Sequence, residues 1–284
     1  MKNDLTIIIA HYIGENNQII NPLLKTLKEI SKQKSEYNIE VIIADDGSYY
    51  SRGIRENFSK KISIENDIRD IYILEDSQLE NFIDKNSYNK NIINKWVYLP
   101  KEIECMSKAR VTNYAVKESN SDRILFLDDD NYFISEDTIE NLINLFDEYE
   151  IIIGQIKDNN GRLRKYSSNR VQGTTIALKK EIFNNIGGLG EWTEKFSCGV
   201  DSDFWLKLYN YYIKNNIKVC YTNQISTYDS CSKRWKKYTK FFKELKLKKE
   251  FYERYLCKNY KSKKYNLSRQ KELWVVNIIE QNES

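Results

Sequence analysis

The stretch "RILFLDDDNYFI", residues 123–134, joins an apolar run to three consecutive aspartates, Asp128, Asp129 and Asp130. The run predicts a buried strand, so the aspartates would lie at its carboxyl end. Like charges at the half-buried end of a strand raise one another's pKa and destabilise the fold unless a cation neutralises them. A cation site is one interpretation of these residues, and a solvated turn rich in Asp and Asn is the other.

Two further apolar runs precede this stretch. "LTIIIA" (5–10) and "IEVIIADDGS" (39–48) each predict a buried parallel strand, and the second again ends in aspartates. Between them, residues 17–33 place apolar side chains at helical spacing, with Pro22 in a first turn. Strand, helix and strand in this order predict a doubly wound α/β sheet, in which ligands bind outside the carboxyl ends of the strands.

The remaining elements continue the alternation. Helices are predicted at 107–117 with Ser107 as N-cap, 135–146, 180–188 and 201–215, and strands at 71–76, 95–100, 150–156 and 173–180.

The composition of the chain excludes several classes of protein. Its 284 residues are 40% hydrophobic, which rules out a disordered chain and allows one large domain or two small ones. The five cysteines are widely spaced with a single histidine, which predicts reduced thiols rather than zinc ligands. "MKNDLTIIIAHY" is too short an apolar segment for a signal peptide, so we expect a cytoplasmic protein.

Charge is concentrated near the C-terminus. Residues 233–264 carry a net charge of +11, which leaves −7 on the rest of a chain whose total is +4. We therefore predict two units, 1–232 as the main α/β domain and 233–284 as a basic, aromatic helical extension. Six apolar residues recur in the extension near helical spacing: Trp235, Tyr238, Phe242, Leu245, Tyr252 and Leu256. This stripe would dock on the main domain, or the basic surface would approach an anionic membrane or glycan; no nucleic-acid motif is present.

The strand-end carboxylates suit a hard cation with oxygen ligands, Mg²⁺ or Mn²⁺, and such a cation commonly carries a phosphate. On the preceding helix, Arg110, Asn113 and Lys117 share one face, so Arg110 is a candidate phosphate ligand, with an ordinary solvated arginine as the alternative. Asp201 and Asp203 open the helix at 201–215, either as helix caps or as a general base that removes a hydroxyl proton.

Four ordered segments resemble glycosyltransferase family 2, the inverting transferases with the GT-A fold. They are "LTIIIAHYIGEN", "VIIADDGS", "SKARVTNYAVKESNSDRILFLDDDN" and "GTTIALKKEIFNNIGGLGEWTEKFSCGVDSDFWLKL", and the resemblance spans about residues 5–210. It implies a mostly parallel, Rossmann-like sheet flanked by helices. It also implies a nucleotide-sugar donor and a divalent metal.

The resemblance assigns roles to individual residues. Asp46 would contact the nucleotide base, Asp130 would be the direct metal ligand, and Asp201 would be the general base, with Asp203 as the alternative. Asp128 would lie near the ribose and also serve the metal. The other donor-binding candidates are Ala10, His11, Tyr12, Asp45, Arg110, Asn113 and Asp129, and those on the acceptor side are Gly188 and Trp192.

Three positions depart from the family pattern. Val200 replaces the glutamate that normally precedes the base, which is why Asp203 stays open. Tyr49 and Tyr50 replace the usual Thr-Asp after "DDGS". A histidine that many relatives present beyond the base is absent, with Tyr228 or Asp229 as substitutes. His11 would touch the nucleotide, but a lone strand-end histidine is more often a hydrogen-bonded structural residue.

These observations predict a metal-dependent hexosyl- or N-acetylhexosaminyltransferase. It would move a sugar, from a UDP-sugar in the first instance, to a hydroxyl of a glycan or lipid-linked acceptor, with peripheral membrane contact through residues 233–264. Two other classes are considered. A catalytically silent nucleotide-sugar-binding module would explain Val200 and the missing histidine. A D-x-D phosphohydrolase would use Asp128 as nucleophile, but Tyr132 departs from that signature.

Overall fold

Strands and helices alternate along most of the chain. The computed structural model describes residues 2–15, 20–89, 92–102, 105–164, 172–230, 241–255 and 276–279. The strands are β1 Leu5–His11, β2 Ile39–Asp45, β3 Lys60–Ser63, β4 Asp70–Leu74, β5 Lys95–Tyr98, β6 Arg123–Asp128, β7 Asn131–Phe133, β8 Ile151–Asp158, β9 Leu163–Arg164, β10 Ile176–Lys179, β11 Val219–Asp229 and β12 Val276–Ile279. The helices are α1 Leu23–Ser31, α2 Asp76–Lys85, α3 Lys108–Lys117, α4 Thr138–Leu145, α5 Lys180–Asn185, α6 Val200–Asn215 and α7 Phe241–Tyr255, with 3₁₀ helices at Tyr49–Arg55 and Glu191–Phe196.

The strands form one mixed sheet. Within the described residues its order is β12-β11-β8-β10-β6-β1-β2-β5-β4-β3, with β7 paired to β11 and β9 to β8. The four central strands, β6, β1, β2 and β5, are parallel to one another. β10 runs antiparallel to β6, and β4 antiparallel to β5. This arrangement confirms the predicted α/β class, a mostly parallel sheet at its centre with antiparallel strands towards its edges.

Each face of the sheet is covered by its own hydrophobic core. One core joins the sheet to α3, α5, α6 and α7, and the other joins it to α1, α2 and α4. The central strands are buried on both faces, as their unbroken apolar runs predict.

Helix α1 is shorter than its sequence pattern predicts. It begins at Leu23 instead of near residue 17, and Pro22 occupies the N-cap position. Ile20, which we expected on the buried face, is 89% exposed. The physical reason is that a proline disfavours helical geometry in the residue before it.

Helix α7 docks on the main domain through a different face from the predicted stripe. Leu247 and Phe251 are buried, whereas the stripe members Leu245 and Tyr252 are 45% and 50% exposed. Trp235, Tyr238 and Leu256 lie outside the described residues, as does the side chain of Phe242. The stripe was therefore assigned to the wrong helical phase, and the division into units 1–232 and 233–284 stays a prediction.

Two observations bear on the predictions about the cysteines and about membrane segments. Cys105, Cys198 and Cys220 are free thiols, and the other two cysteines lie outside the described residues. Across the described part of the chain, every helix is too short or too polar to traverse a lipid bilayer.

Candidate active site

An acidic cleft opens where three parallel strands end. Strand β1 lies between β2 and β6, with Ala10 opposite both Ala44 and Asp128. The cleft encloses about 210 Å³. Its charged lining consists of Asp46, Asp128, Asp129, Asp130, Asp201 and Lys108, and Ala10, His11 and Tyr12 also face it. The structure thus brings together all three acidic groups that the sequence predicted to share a site.

The two aspartates of the "DDGS" turn have different environments. Asp45 is fully buried and does not line the cleft. Its oxygens accept hydrogen bonds from the Ser48 backbone N–H at 2.8 Å, the Ser51 hydroxyl at 2.5 Å and the Trp96 indole N–H at 3.0 Å. These bonds hold the turn in place. Asp45 thus has a structural role in the turn, and its assignment to the donor stays a prediction.

Asp46 faces the cleft from a buried position. Oδ2 accepts hydrogen bonds from the Lys101 ammonium at 2.9 Å and the Ser107 backbone N–H at 2.8 Å. Oδ1 is buried and has no hydrogen-bond partner. Burial raises the pKa of Asp46 to about 6, against the opposing effects of Lys101 and the Ser107 N–H. An unsatisfied buried acceptor beside a cleft favours the predicted contact with a ligand N–H group.

The raised pKa of Asp46 makes stability depend on pH. Its ordinary value is 3.8, so the folded protein holds the proton more tightly than the unfolded chain. This contribution to stability is complete below about pH 4 and is lost as pH rises through about 6. The free energy of unfolding of Asp46→Asn, relative to that of wild type, should rise by on the order of 3 kcal/mol from pH 4 to pH 7. Urea denaturation at both pH values measures it.

Asp70→Asn is the control, because the pKa of Asp70 is lowered by its hydrogen bond to Lys61. The contribution of Asp70 is present above about pH 4 and is lost only as pH falls further, so this variant should differ from wild type by nearly the same amount at pH 4 and pH 7. If the free energies of unfolding of Asp46→Asn and wild type differ by the same amount at pH 4 and pH 7, the assignment of a raised pKa to Asp46 is contradicted.

The three aspartates after β6 also divide by role. Asp128 has an oxygen 2.6 Å from the Lys108 ammonium. Burial raises the pKa of Asp128 to about 6, with Lys108 opposing and Asp130 and Asp201 reinforcing the shift. Asp129 is 1% exposed, and its carboxylate lies 2.5 Å from His11 Nδ1. All three aspartates line the cleft, and Asp129 in addition positions His11.

His11 is a buried structural residue, the alternative that we considered more typical. Its side chain lies between Asp129 and the Tyr50 hydroxyl, each at 2.5 Å from a ring nitrogen. Both ring nitrogens are thus engaged within the protein. His11 is one of the residues that line the cleft, but its side chain is fully buried, and its contact with a nucleotide stays a prediction.

Lys108 is the functional candidate that the sequence analysis missed. Its ammonium projects into the cleft, 2.6 Å from Asp128 and 3.9 Å from Asp201. Burial alone would favour the neutral amine, but the carboxylates of Asp128 and Asp201 outweigh it and hold the pKa of Lys108 above its ordinary value. The side chain is therefore a permanent cation next to the acids, which suits a phosphate ligand.

Arg110, the predicted phosphate ligand, points away from the cleft. Its guanidinium pairs with Glu191 at 2.9 Å and Glu194 at 3.0 Å. Residues two apart on a helix lie about 200° apart, so Lys108 and Arg110 cannot face the same cavity. In this structure Arg110 anchors the 3₁₀ helix Glu191–Phe196, and its assignment to the donor stays a prediction.

Asn113 also acts within the protein. Its amide donates to the Leu189 carbonyl at 3.0 Å and to Glu191 at 2.9 Å, and it accepts the Leu189 backbone N–H at 2.8 Å. A side chain on Gly188 would meet Asn113 at 2.7 Å, and Gly188 has a positive φ of 63°. Asn113 and Gly188 thus fix the loop that precedes Trp192, and a donor contact of Asn113 stays a prediction.

Ser107 occupies the N-cap position of α3 as predicted, although its side chain makes no capping bond. Instead, its hydroxyl donates to Glu194 and accepts from Arg69 at 2.8 Å. Since the Ser107 backbone N–H holds Asp46, one residue joins Asp46 to the Glu191–Phe196 segment.

Asp201 and Asp203 are separated by the geometry of α6. Asp201 lines the cleft, with 47% of its side chain exposed. Asp203 is fully buried, accepts the Trp192 indole N–H at 2.8 Å and the Tyr255 hydroxyl, and pairs with Lys207 at 3.1 Å. Of the two, Asp201 is the one whose carboxylate reaches the cleft, and its assignment as the base stays a prediction.

Trp192 is covered on one side by α7. Its ring lies 5.0 Å from the Phe251 ring and 4.6 Å from the Arg254 guanidinium. These contacts hold Trp192 beside the first turn of α6, and an acceptor-side role for Trp192 and Gly188 stays a prediction.

The proposed substitutes for the missing histidine are engaged elsewhere. The Tyr228 ring stacks on Tyr132 at 5.1 Å, and Asp229 pairs with Arg164. Neither residue lines the cleft, so the structure supports neither as a ligand to the metal or diphosphate.

The cleft fits a divalent cation that arrives with its substrate. Two carboxylates, Asp128 and Asp130, supply hard oxygen ligands. Among the described residues, no cluster of three or more His, Cys, Asp or Glu side chains has the arrangement of a metal centre. Mg²⁺ and Mn²⁺ bind such incomplete sites through one or two carboxylates and complete their shells with substrate phosphates and water.

A doubly wound sheet with an acidic cleft at its strand ends defines a class of α/β proteins that bind ligands at that edge. Residues 94–196 match the model of "Glycosyl transferase family 2". The match confirms the predicted relationship over this part of the chain.

One curated relative is the "Minor teichoic acid biosynthesis protein GgaB" of Bacillus subtilis (strain 168). It is 31% identical over 149 residues, which are 51% of this chain and 15% of the relative. The chain therefore matches only a small part of that longer protein.

Solved structures of two other proteins are similar in part. One is the mannosyltransferase PcManGT from Pyrobaculum calidifontis in complex with GDP-Man and Mn²⁺, with a TM-score of 0.49 and 15% identity over 82% of this chain and 59% of that one. The other is S. aureus TarS 1–349 in complex with UDP, with a TM-score of 0.45 and 16% identity over 74% and 56% of the two chains.

Proposed function

We propose that this protein transfers a sugar from a nucleotide sugar, a UDP-sugar in the first instance, to an acceptor hydroxyl, with inversion at the anomeric carbon. The observation that carries the proposal is the cleft itself, in which Asp46, Lys108, Asp128, Asp130 and Asp201 converge at the carboxyl ends of parallel strands. The match of residues 94–196 to the model of glycosyl transferase family 2 supports the reaction class. The curated relative's role in minor teichoic acid biosynthesis supports a glycan or polymeric acceptor.

Each of the cleft residues has its own role in the proposed reaction. Asp46, with its unsatisfied Oδ1, accepts a hydrogen bond from the nucleotide base. Lys108 neutralises the diphosphate beside Asp128. A divalent cation held by Asp128 and Asp130, when bound, stabilises negative charge on the departing diphosphate.

The Asp201 carboxylate takes the proton of the acceptor hydroxyl. As the acceptor oxygen bonds to the anomeric carbon, the bond from that carbon to the phosphate oxygen breaks, and its electron pair leaves with the nucleoside diphosphate. One bond forms and one breaks in line, so the configuration inverts.

The transfer reaction is tested by nucleotide release from UDP-, GDP-, dTDP- and CMP-sugars, with Mn²⁺ and with EDTA. We expect one donor to be turned over in Mn²⁺ and not in EDTA. Asp130→Asn should slow release by about 10²-fold, because one of two metal carboxylates is lost. The matched control is Asp147→Asn, whose carboxylate is 79% exposed and far along the chain from the cleft residues; it should match wild type.

Silence across the panel while calorimetry detects nucleotide binding would favour the silent binding module. Phosphate release in place of nucleotide release would favour the phosphohydrolase. The choice between hexosyl and N-acetylhexosaminyl donors follows from whichever sugar is released. Cytoplasmic location, and membrane contact through residues 233–264, stay predictions.

A further inference from the structure

A second cavity of about 210 Å³, equal in volume to the acidic cleft, lies between the 3₁₀ helix Tyr49–Arg55 and α2. Its floor is apolar and aromatic, formed by Ile54, Leu74, Tyr50 and Phe82. The Tyr50 and Phe82 rings are nearly parallel, 6.3 Å apart at 16°. None of the residues assigned to transfer contributes to this cavity.

The rim of this second cavity carries side-chain amides and no carboxylate. The four amides belong to Asn57, Gln78, Asn81 and Asn86, and Lys85 adds one cation. Within the described part of the chain, the side chains of Asn57, Asn81 and Lys85 make no hydrogen bond or ion pair. An amide both donates and accepts hydrogen bonds, so this rim presents paired donors and acceptors around an aromatic floor.

Gly53 adds an independent observation. A Cβ built on Gly53 would meet no atom within 4 Å, and the residue does not have a positive φ. Neither backbone conformation nor close packing therefore requires glycine at this position. Its absent side chain leaves the cavity wall open.

We propose that the second cavity binds a saccharide unit. A sugar ring has an apolar face of C–H groups that packs on aromatic rings, and hydroxyls around its edge that pair with amides. The absence of carboxylates from the lining argues against a metal-bound or cationic ligand. In an acidic main domain, a pocket with neutral amides and one lysine selects a neutral or singly anionic ligand.

A contact between His11 and Tyr50 connects the second cavity to the acidic cleft. His11 lines the cleft and Tyr50 lines the second cavity, and the two side chains are 2.5 Å apart. A glycan bound at the second cavity would therefore lie near the site of transfer. The binding proposal does not depend on the transfer reaction, because it is tested without turnover.

The test is saturation-transfer NMR on the full chain with D-glucose, D-galactose and N-acetyl-D-glucosamine as probes. At least one probe should give a saturable signal that added UDP does not displace. Gly53→Leu places a side chain in the cavity and should reduce the signal at least fivefold, whereas Gly53→Ala, which adds only a methyl group, should retain most of it.

Three results would overturn the proposal: no probe binds wild type, Gly53→Leu binds as well as wild type, or UDP displaces the probe. Circular dichroism and the melting temperature show whether Gly53→Leu is folded. If it is not, Asn81→Ala takes its place, since Asn81 is an exposed rim residue, and the same fall in signal is expected. Nucleotide release in the same samples separates failure of this site from failure of the transferase assignment.

Discussion

Asp201→Asn is expected to slow sugar transfer by about 10²–10⁴-fold, the usual contribution of a general base, while the affinity for the nucleotide sugar stays within about twofold of wild type. The amide keeps the shape of the carboxylate but cannot take the acceptor proton. Asp201 reaches the cleft because Gly173 lies beside it: a Cβ on Gly173 would come within 2.1 Å of the carboxylate. Single-turnover transfer and calorimetry with the nucleotide sugar measure the two quantities.

Asp203→Asn is the matched control from the same helical turn. Its carboxylate is buried against Trp192 and Lys207. The variant should therefore have a lower free energy of unfolding than wild type. Those molecules that remain folded should still transfer sugar. If Asp201→Asn transfers sugar as fast as wild type, or if only its Michaelis constant changes, a group other than Asp201 takes the acceptor proton.

The strand ends were predictable because apolar runs in parallel strands are long and unambiguous. "LTIIIA", "IEVIIADD" and "RILFLDD" each end at the cleft, so the sequence located the site to one edge of one sheet. The run of acids could be placed there because buried strands of a doubly wound sheet share a direction.

Individual side chains within those segments were not predictable, because adjacent positions point in different directions. Asp45 turns inward to hold its own loop, while Asp46 faces the cleft. Lys108 enters the cleft, while Arg110, about 200° around α3, binds Glu191 and Glu194.

The face of α7 was mispredicted for a related reason. Lysines separate its apolar residues, so two phases of the helix carry comparable apolar stripes, and tertiary contact decides between them. The face of α7 that is buried in the structure places Phe251 against Trp192 and opposite Gly199. A Cβ on Gly199 would meet the Phe251 ring at 3.2 Å. The sequence of α7 alone does not indicate that Gly199, far away in the chain, leaves room for the Phe251 ring.

Phe251→Ala should therefore be among the most destabilising single substitutions in the protein. Phe251 is fully buried between the Trp192 ring at 5.0 Å and the Tyr255 ring at 6.0 Å. Truncating such a side chain removes its burial and leaves a cavity, which costs about 3–5 kcal/mol of unfolding free energy. Urea denaturation followed by tryptophan fluorescence measures the loss.

Tyr252→Ala provides the control from the next position on α7. Tyr252 is 50% exposed, so its truncation should change the unfolding free energy by less than about 0.5 kcal/mol. Equal effects of the two variants would contradict the docking of α7. Since α6 begins beside Gly199 and presents Asp201 in its first turn, a stable Phe251→Ala protein that transfers sugar normally would show that α7 supports the fold without positioning the base.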